Sequence, residues 1–258
     1  MHILFPSDYF KPSQPDEMYQ AQAEAFDNKG IQYSTISLDE LSPLSRITPA
    51  VSNDVIYRGW MLNEQEYQNL CVSIASSGGT PYISVESYLA LHHLPNWYEL
   101  IADLTPETII LPKDCNLELE LKNIGWESYF IKDYVKSLKT SVGSIINEPS
   151  QAVTVADEMK KFRGKIEGGF CIRKVENFLP DTEERYFVLD GKVFASEKSQ
   201  SIPEIVVECA SRIASRFFSI DLTETKEGKE RVVEVGDGQV SDIVGWSPER
   251  FARIFVDG

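Results

Sequence analysis

The sequence predicts a chain in two parts, an α/β region followed by an α+β region rich in antiparallel hairpins. Up to about residue 84, short apolar runs alternate with segments of helical spacing, the pattern of a parallel sheet flanked by helices. From about residue 185, apolar runs come in pairs around tight polar turns, the pattern of hairpins. No Pro/Gly/Ser-rich linker, internal repeat or low-complexity segment lies between them.

The opening run His2-Ile3-Leu4-Phe5 is a strand that leaves through Pro6-Ser7-Asp8, without the basic start or length of a signal peptide. Asp16 to Asn28 carries Met18, Ala21, Ala25 and Phe26 at helical spacing and stops at Asn28-Lys29-Gly30. Ile31 to Ile36 alternates as a strand, and Val51 to Tyr57 closes as one in Val55-Ile56-Tyr57 before Arg58-Gly59-Trp60. Asn63 to Ser76 reads as a helix and Tyr82-Ile83-Ser84 as a strand. Further on, Tyr129 to Ile131 and Phe170 to Ile172 are short strands, and Arg185 to Phe194 is a hairpin around Asp190-Gly191. A helix is expected over Pro203 to Phe217, with Ile205, Val206, Cys209, Ile213 and Phe217 on its apolar side. Phe218 to Leu222 and Arg231 to Val235 are strands joined by the turn Thr225 to Lys229.

Forty acidic against 25 basic residues give a formal charge of −15, which repels nucleic acid and anionic lipid. No apolar run is long enough for a membrane span. Cys71, Cys115, Cys171 and Cys209 are widely spaced and form no CxxC, so free thiols in a reducing cytoplasm are expected. His92 and His93 are adjacent, which argues against both holding one metal.

Against this acidic background three features point to chemistry. The strands Phe218-Ser219-Ile220-Asp221 and Val232-Val233-Glu234-Val235 each set a carboxylate into an apolar run. As neighbours, Asp221 and Glu234 would crowd two anions, which a Mg²⁺ ion relieves. The bland alternative is that Asp221 ends a strand and Glu234 faces solvent. Lys132 follows an apolar run directly, where a phosphate would partner its ammonium, with Lys136 and Lys139 in the following loop. An ordinary solvated Lys-rich loop is the commoner meaning of such a run. Arg173, Lys174, Arg185 and Lys198 repeat the theme of a cation at the end of an apolar β run, and Arg suits phosphate and carboxylate.

The order of these elements over residues 93–240 resembles the ATP-grasp superfamily. The phrases FPSDYFKP, YRGWML, HHLPNWYELI, IKDYVKS and VEVGDGQVS resemble one bacterial and phage branch of it. The resemblance implies a pre-ATP-grasp, Rossmann-like α/β domain over 1–92 and a two-subdomain ATP-grasp fold over 93–258, with a smaller lid subdomain at about 125–175. It implies ATP and Mg²⁺ as cofactors, with Lys132, Lys136, Arg173, Lys174 and Glu176 on the nucleotide and Asp221 and Glu234 on the metal. Arg185 and Lys198 would face the phosphates or the acyl phosphate. The chemistry implied is activation of a carboxylate for attack by an amine or thiol on a small molecule or peptide, with release of ADP and phosphate. A catalytically inactive nucleotide-binding protein of the same fold is the alternative.

The family's Asn two residues after the metal Glu is Gly236 here, so Asp237 or Gln239 replaces it or that ligand is missing. Lys136-Ser137-Leu138-Lys139 stands where the family has a glycine-rich loop. His93 is the candidate replacement for an earlier nucleotide-contacting Lys, with a packing role at a helix start as the alternative. Arg58, at the end of a strand in the first region, is the candidate contact for substrate. A covalent nucleotidyltransferase built on Lys132-Asp133 is disfavoured, because no Gly follows at the needed place and the charge opposes a nucleic-acid substrate.

Overall fold

The computed structural model describes residues 1–135, 143–199 and 201–257. The chain forms two compact units, one made of Met1–Leu89, Glu184–Asp221 and Glu234–Gly258, the other of Ala90–Glu183 and Leu222–Val233.

The first unit opens with β1 (His2–Pro6), α1 (Gln20–Asp27), β2 (Tyr33–Ile36), β3 (Ile47–Thr48), β4 (Asp54–Tyr57), α2 (Glu64–Ser76) and β5 (Thr80–Pro81). The strands form one sheet in the order β3-β2-β1-β4-β5, parallel except for β3 at its edge. β1 is buried along its whole length, as a central parallel strand with both faces covered must be. α2 starts where the sequence Asn63-Glu64-Gln65-Glu66 allows a reciprocal cap. Asn63 Oδ1 accepts from the Glu66 N–H at 3.0 Å, and Glu66 Oε2 accepts from the Asn63 N–H at 2.7 Å. The strand expected at Tyr82–Ser84 lies two residues earlier. The Thr80 N–H bonds Asn53 O and the Tyr82 N–H bonds Val55 O, which pairs Thr80–Pro81 with β4.

α3 (Val85–His92) leads into the second unit, which holds α4 (Leu94–Tyr98), β6 (Thr108–Pro112), α5 (Leu117–Ile124), β7 (Tyr129–Asp133), β8 (Ile145–Ile146), α6 (Ala152–Arg163) and β9 (Gly169–Lys174). Its sheet has the order β6-β9-β7-β8, with β9 antiparallel to both neighbours. Tyr129, Ile131, Phe170 and Ile172 join Leu117, Leu121, Val155 and Met159 of the helices in one core. Strand alternation then puts Lys132, Cys171 and Arg173 on the opposite face.

The remaining elements are β10 (Glu184–Leu189), β11 (Lys192–Phe194), α7 (Glu204–Arg212), β12 (Phe217–Glu224), β13 (Glu230–Asp237) and α8 (Pro248–Asp257). The four strands form a sheet in the order β11-β10-β12-β13. The hairpin of β10 and β11 turns at Asp190 and Gly191, with φ of 46° and 80°, the left-handed pair that a two-residue turn needs. The helix expected over 203–217 stops at Arg212, because Ile213 is extended (φ −97°, ψ 119°) and Phe217 opens β12. α8 packs on α1, with the Phe26 and Phe255 rings 5.2 Å apart. No helix among the described residues is long and apolar enough to cross a membrane.

Gly59, just past β4, sits against the Tyr57 ring, and a Cβ there would lie 2.6 Å from Pro6 Cγ. Gly59→Ala should therefore cost about 1–3 kcal/mol by overpacking, read as a lower denaturant midpoint at unchanged slope. An unchanged midpoint would contradict this packing.

Candidate active site

β10, β12 and the segment after β13 build an acidic cluster around one guanidinium. Arg185 donates from Nε to Asp221 Oδ1 at 2.7 Å and from Nη2 to Asp221 Oδ2 at 2.5 Å, a bidentate pair. Its Nη1 donates to the Asp242 carbonyl at 2.7 Å, and its own carbonyl accepts from Trp246 Nε1 at 2.8 Å. Asp221 is buried while Glu234 is exposed. Burial raises the Asp221 carboxyl above the usual range; the Arg185 pair opposes this and the nearby Glu234 charge adds to it. Burial opposes the Arg185 charge, but Asp221, Glu234 and Asp242 together hold its guanidinium above its ordinary value. Three carboxylates thus surround a single cation. That surplus suits a divalent ion, and the Arg185 bonds leave Asp221 further lone pairs with which to bind one.

Asp237 and Gln239 do not share this cluster. Three and five residues beyond Glu234, they point into the first unit's interior. Gln239 Oε1 accepts from the Tyr57 N–H at 3.1 Å, and its Nε2 donates to Tyr67 Oη at 2.6 Å and Asp237 Oδ1 at 3.2 Å. This bonding corrects the expectation that Gln239 is a metal ligand: its amide ties β4 and α2 to the end of β13. Asp237 is 2 % exposed, and its Oδ2 is buried without a hydrogen-bond partner. Burial pushes its carboxyl up to about 7, against the bonds from Gln239 and the Arg58 charge.

Arg58 is corrected likewise. It is 1 % exposed. Its guanidinium donates to Gln22 Oε1 at 3.0 and 3.3 Å, to Gly238 O at 2.5 Å and to Ser241 O at 2.9 Å. It also lies over the Phe251 ring, 4.5 Å from its centroid. With its donors engaged inside the unit it is a structural clamp, not a substrate contact. Lys198 is exposed on the loop after β11.

In the second unit, Lys132 and Arg173 flank Cys171 on one sheet face and are both 6 % exposed. Burial pushes the Cys171 thiol up to about 12, against the pull of Lys132 and then Arg173. Arg173 is held by Thr108 Oγ1 at 3.3 Å, Val233 O at 2.5 Å and Thr105. Lys174 points elsewhere, 5.8 Å from the Trp126 ring centroid and 3.5 Å from Glu107. With Trp126, Glu127, Ser128 and Val175 it lines a cleft of ≈ 310 Å³. Glu176 accepts both Nε (2.9 Å) and Nη2 (2.8 Å) of Arg231, a partner that sequence spacing gave no reason to expect. His93 Nε2 lies 3.6 Å from Glu167 Oε1. Lys136 lies outside the described residues.

A family model described as an ATP-grasp domain, the third family of its clade, matches residues 123–254, just over half of the chain. The chain belongs to this ATP-grasp family. Solved ATP-grasp structures share the fold at low identity. D-cycloserine synthetase DcsG aligns over 100 % of this chain and 99 % of its own, with 12 % identity and a TM-score of 0.68. The ligase PsnB, bound to precursor peptide PsnA2 and AMPPNP, aligns over 99 % and 96 %, with 13 % identity and a TM-score of 0.61. The macrocyclase MdnC of Microcystis aeruginosa MRC, bound to precursor peptide MdnA, aligns over 100 % of both chains, with 12 % identity and a TM-score of 0.62. No curated protein sequence matches the chain.

Within this ATP-grasp chain the Asp237 carboxyl makes a pH prediction. Its ordinary value is 3.8 and its folded value about 7, so between those values the folded chain holds a proton that the unfolded chain releases. Stability from this group is therefore present at low pH and falls as pH rises through that window. In metal-free protein, Asp237→Asn should gain on the parent by roughly 2–4 kcal/mol between about pH 4.5 and about pH 8. Parallel stability profiles would contradict the assignment.

Proposed function

We propose that the chain is an ATP- and Mg²⁺-dependent ligase that joins a carboxylate to an amine or thiol acceptor. The carrying observation is the buried Asp221–Arg185 pair with Glu234 beside it: a site with more carboxylate than its one guanidinium neutralises. Membership of the ATP-grasp family supports the same reading. The nucleotide-bound neighbour PsnB, also solved with Mg and ADP, supports ATP and Mg²⁺ as the cofactors.

In this reading Asp221 and Glu234 hold Mg²⁺, which supplies charge neutralisation at the transferring phosphate. Arg185 keeps Asp221 ionised and aimed. Lys132 and Arg173 offer cations to the nucleotide, with Lys136, Lys174 and His93 further candidates for contact. The carboxylate substrate takes the γ-phosphoryl group and ADP leaves. The acceptor then attacks the carbonyl, expels phosphate and forms the amide or thioester. The chain contributes position and charge, with no covalent nucleophile of its own. A peptide is a reasonable substrate class, since PsnB and MdnC are each solved with a precursor peptide. The division into a pre-ATP-grasp part over 1–92 and an ATP-grasp part over 93–258, with its lid, belongs to the same proposal.

Mg·ATP should raise the unfolding temperature, by the equivalent of about 2.7 kcal/mol at roughly 100 times its dissociation constant. ATP with chelator should do much less. A panel of carboxylates and amines, peptides included, should yield ADP and a mass-identified amide or thioester. Glu234→Gln should lower turnover roughly 100-fold while changing ATP affinity less. Equal stabilisation with and without metal, or release of AMP in place of ADP, would contradict the proposal.

A further inference from the structure

His92 and His93 look unable to share a ligand in sequence, because consecutive residues on a helix point about 100° apart. The chain avoids this by breaking the helix between them. α3 ends at His92, and His93 is extended (φ −108°, ψ 121°) at the start of α4. The two rings therefore turn towards each other, with centroids 5.1 Å apart and planes at 53°. Glu167, from the loop before β9, reaches both. Its Oε1 lies 3.9 Å from His92 Nε2 and 3.6 Å from His93 Nε2. One ligand atom from each of the three residues falls within 4.8 Å of the others.

We propose that His92, His93 and Glu167 bind one Zn²⁺-type ion, leaving its fourth position open. Zn²⁺ takes neutral imidazole nitrogen and carboxylate oxygen, whereas Mg²⁺ prefers oxygen alone. Ligand bonds of about 2.0–2.1 Å in a tetrahedron set the ligand atoms about 3.4 Å apart, so the two Glu167 distances need only small side-chain rotations. His93 Nε2 is shielded from solvent and makes no hydrogen bond, which costs free energy unless something occupies its lone pair.

The frame around the three residues is fixed. The Glu167 N–H donates to Asp133 Oδ2 at 3.3 Å, and its carbonyl accepts from the Tyr134 N–H at 3.3 Å and the Gly169 N–H at 3.0 Å. The Leu94 N–H, next to His93, donates to the Tyr134 carbonyl at 2.8 Å. Both sides of the cluster are thus pinned to the end of β7, as a preorganised site requires. The Glu167 and His93 side chains are 22 % and 26 % exposed, which leaves the ion a way in. The proposal uses neither Asp221 nor Glu234 and does not rest on the nucleotide reading.

Metal-free full-length protein, without nucleotide, should take up one equivalent of ZnCl₂ by calorimetry and gain thermal stability. CoCl₂ in its place should give the intense visible bands of a tetrahedral ion. Glu167→Gln and His93→Ala, each shown folded by circular dichroism, should weaken Zn²⁺ at least about tenfold and lose those bands. MgCl₂ should not displace the ion. No saturable Zn²⁺ uptake would overturn the proposal, leaving a carboxylate shared by two imidazoles. Uptake unchanged in both variants would also overturn it, placing the ion elsewhere.

Discussion

The arrangement of the acidic site depends on one interaction, the bidentate bond from Arg185 to the buried carboxylate of Asp221. A carboxylate taken out of water costs several kcal/mol unless it is paired and hydrogen-bonded. Here the pair is geometrically good but not sufficient. Burial still raises the Asp221 carboxyl, and Glu234 raises it further. The cluster is therefore under-neutralised, in a chain whose formal charge is already −15. A purely structural ion pair has no need of the neighbouring Glu234 and Asp242 charges that Arg185 also feels.

Behind this cluster lies a knot of buried polar groups that positions it. Arg58 and Gln239 together bond Gln22, Tyr57, Tyr67, Asp237, Gly238 and Ser241, which joins α1, β4 and α2 to the turn after β13. Ser241 in turn shares a 2.7 Å hydrogen bond with Ser219, two residues before Asp221 on the same face of β12. Such networks are costly when half satisfied and rigid when complete. The one open valence, Asp237 Oδ2, is where burial shifts a carboxyl towards neutrality.

Much of this is legible in the sequence. The apolar opening run marks β1, the Asn63…Glu66 spacing marks the start of α2, and Asp190-Gly191 marks the hairpin, because each is a local rule that tertiary packing then reinforces. Asp221 and Glu234 stand out by the contrast of a carboxylate inside an apolar strand. The misses share a physical cause: chain proximity is not spatial proximity. Asp237 is an odd number of residues from Glu234, and on a strand an odd offset faces the other way. Arg58 ends a strand like a ligand-binding residue, but its partners lie about 180 residues away. Glu176 is taken up by Arg231, and His92 and His93 converge only because a helix breaks between them. Phe217 fits the apolar stripe of α7 but belongs to β12, since nothing in periodicity marks the extended Ile213.

The central claim, that the surplus charge beside Arg185 is a metal site for the nucleotide, is tested most directly by electron paramagnetic resonance with Mn²⁺ in place of Mg²⁺. Glu234 is the residue to change, because it is exposed and its loss leaves the buried pair intact. In the parent chain, adding ATP should create protein-bound Mn²⁺. In Glu234→Gln that ATP-dependent population should fall at least roughly tenfold. The same bound fraction in both chains would show that the metal is held elsewhere and contradict the account.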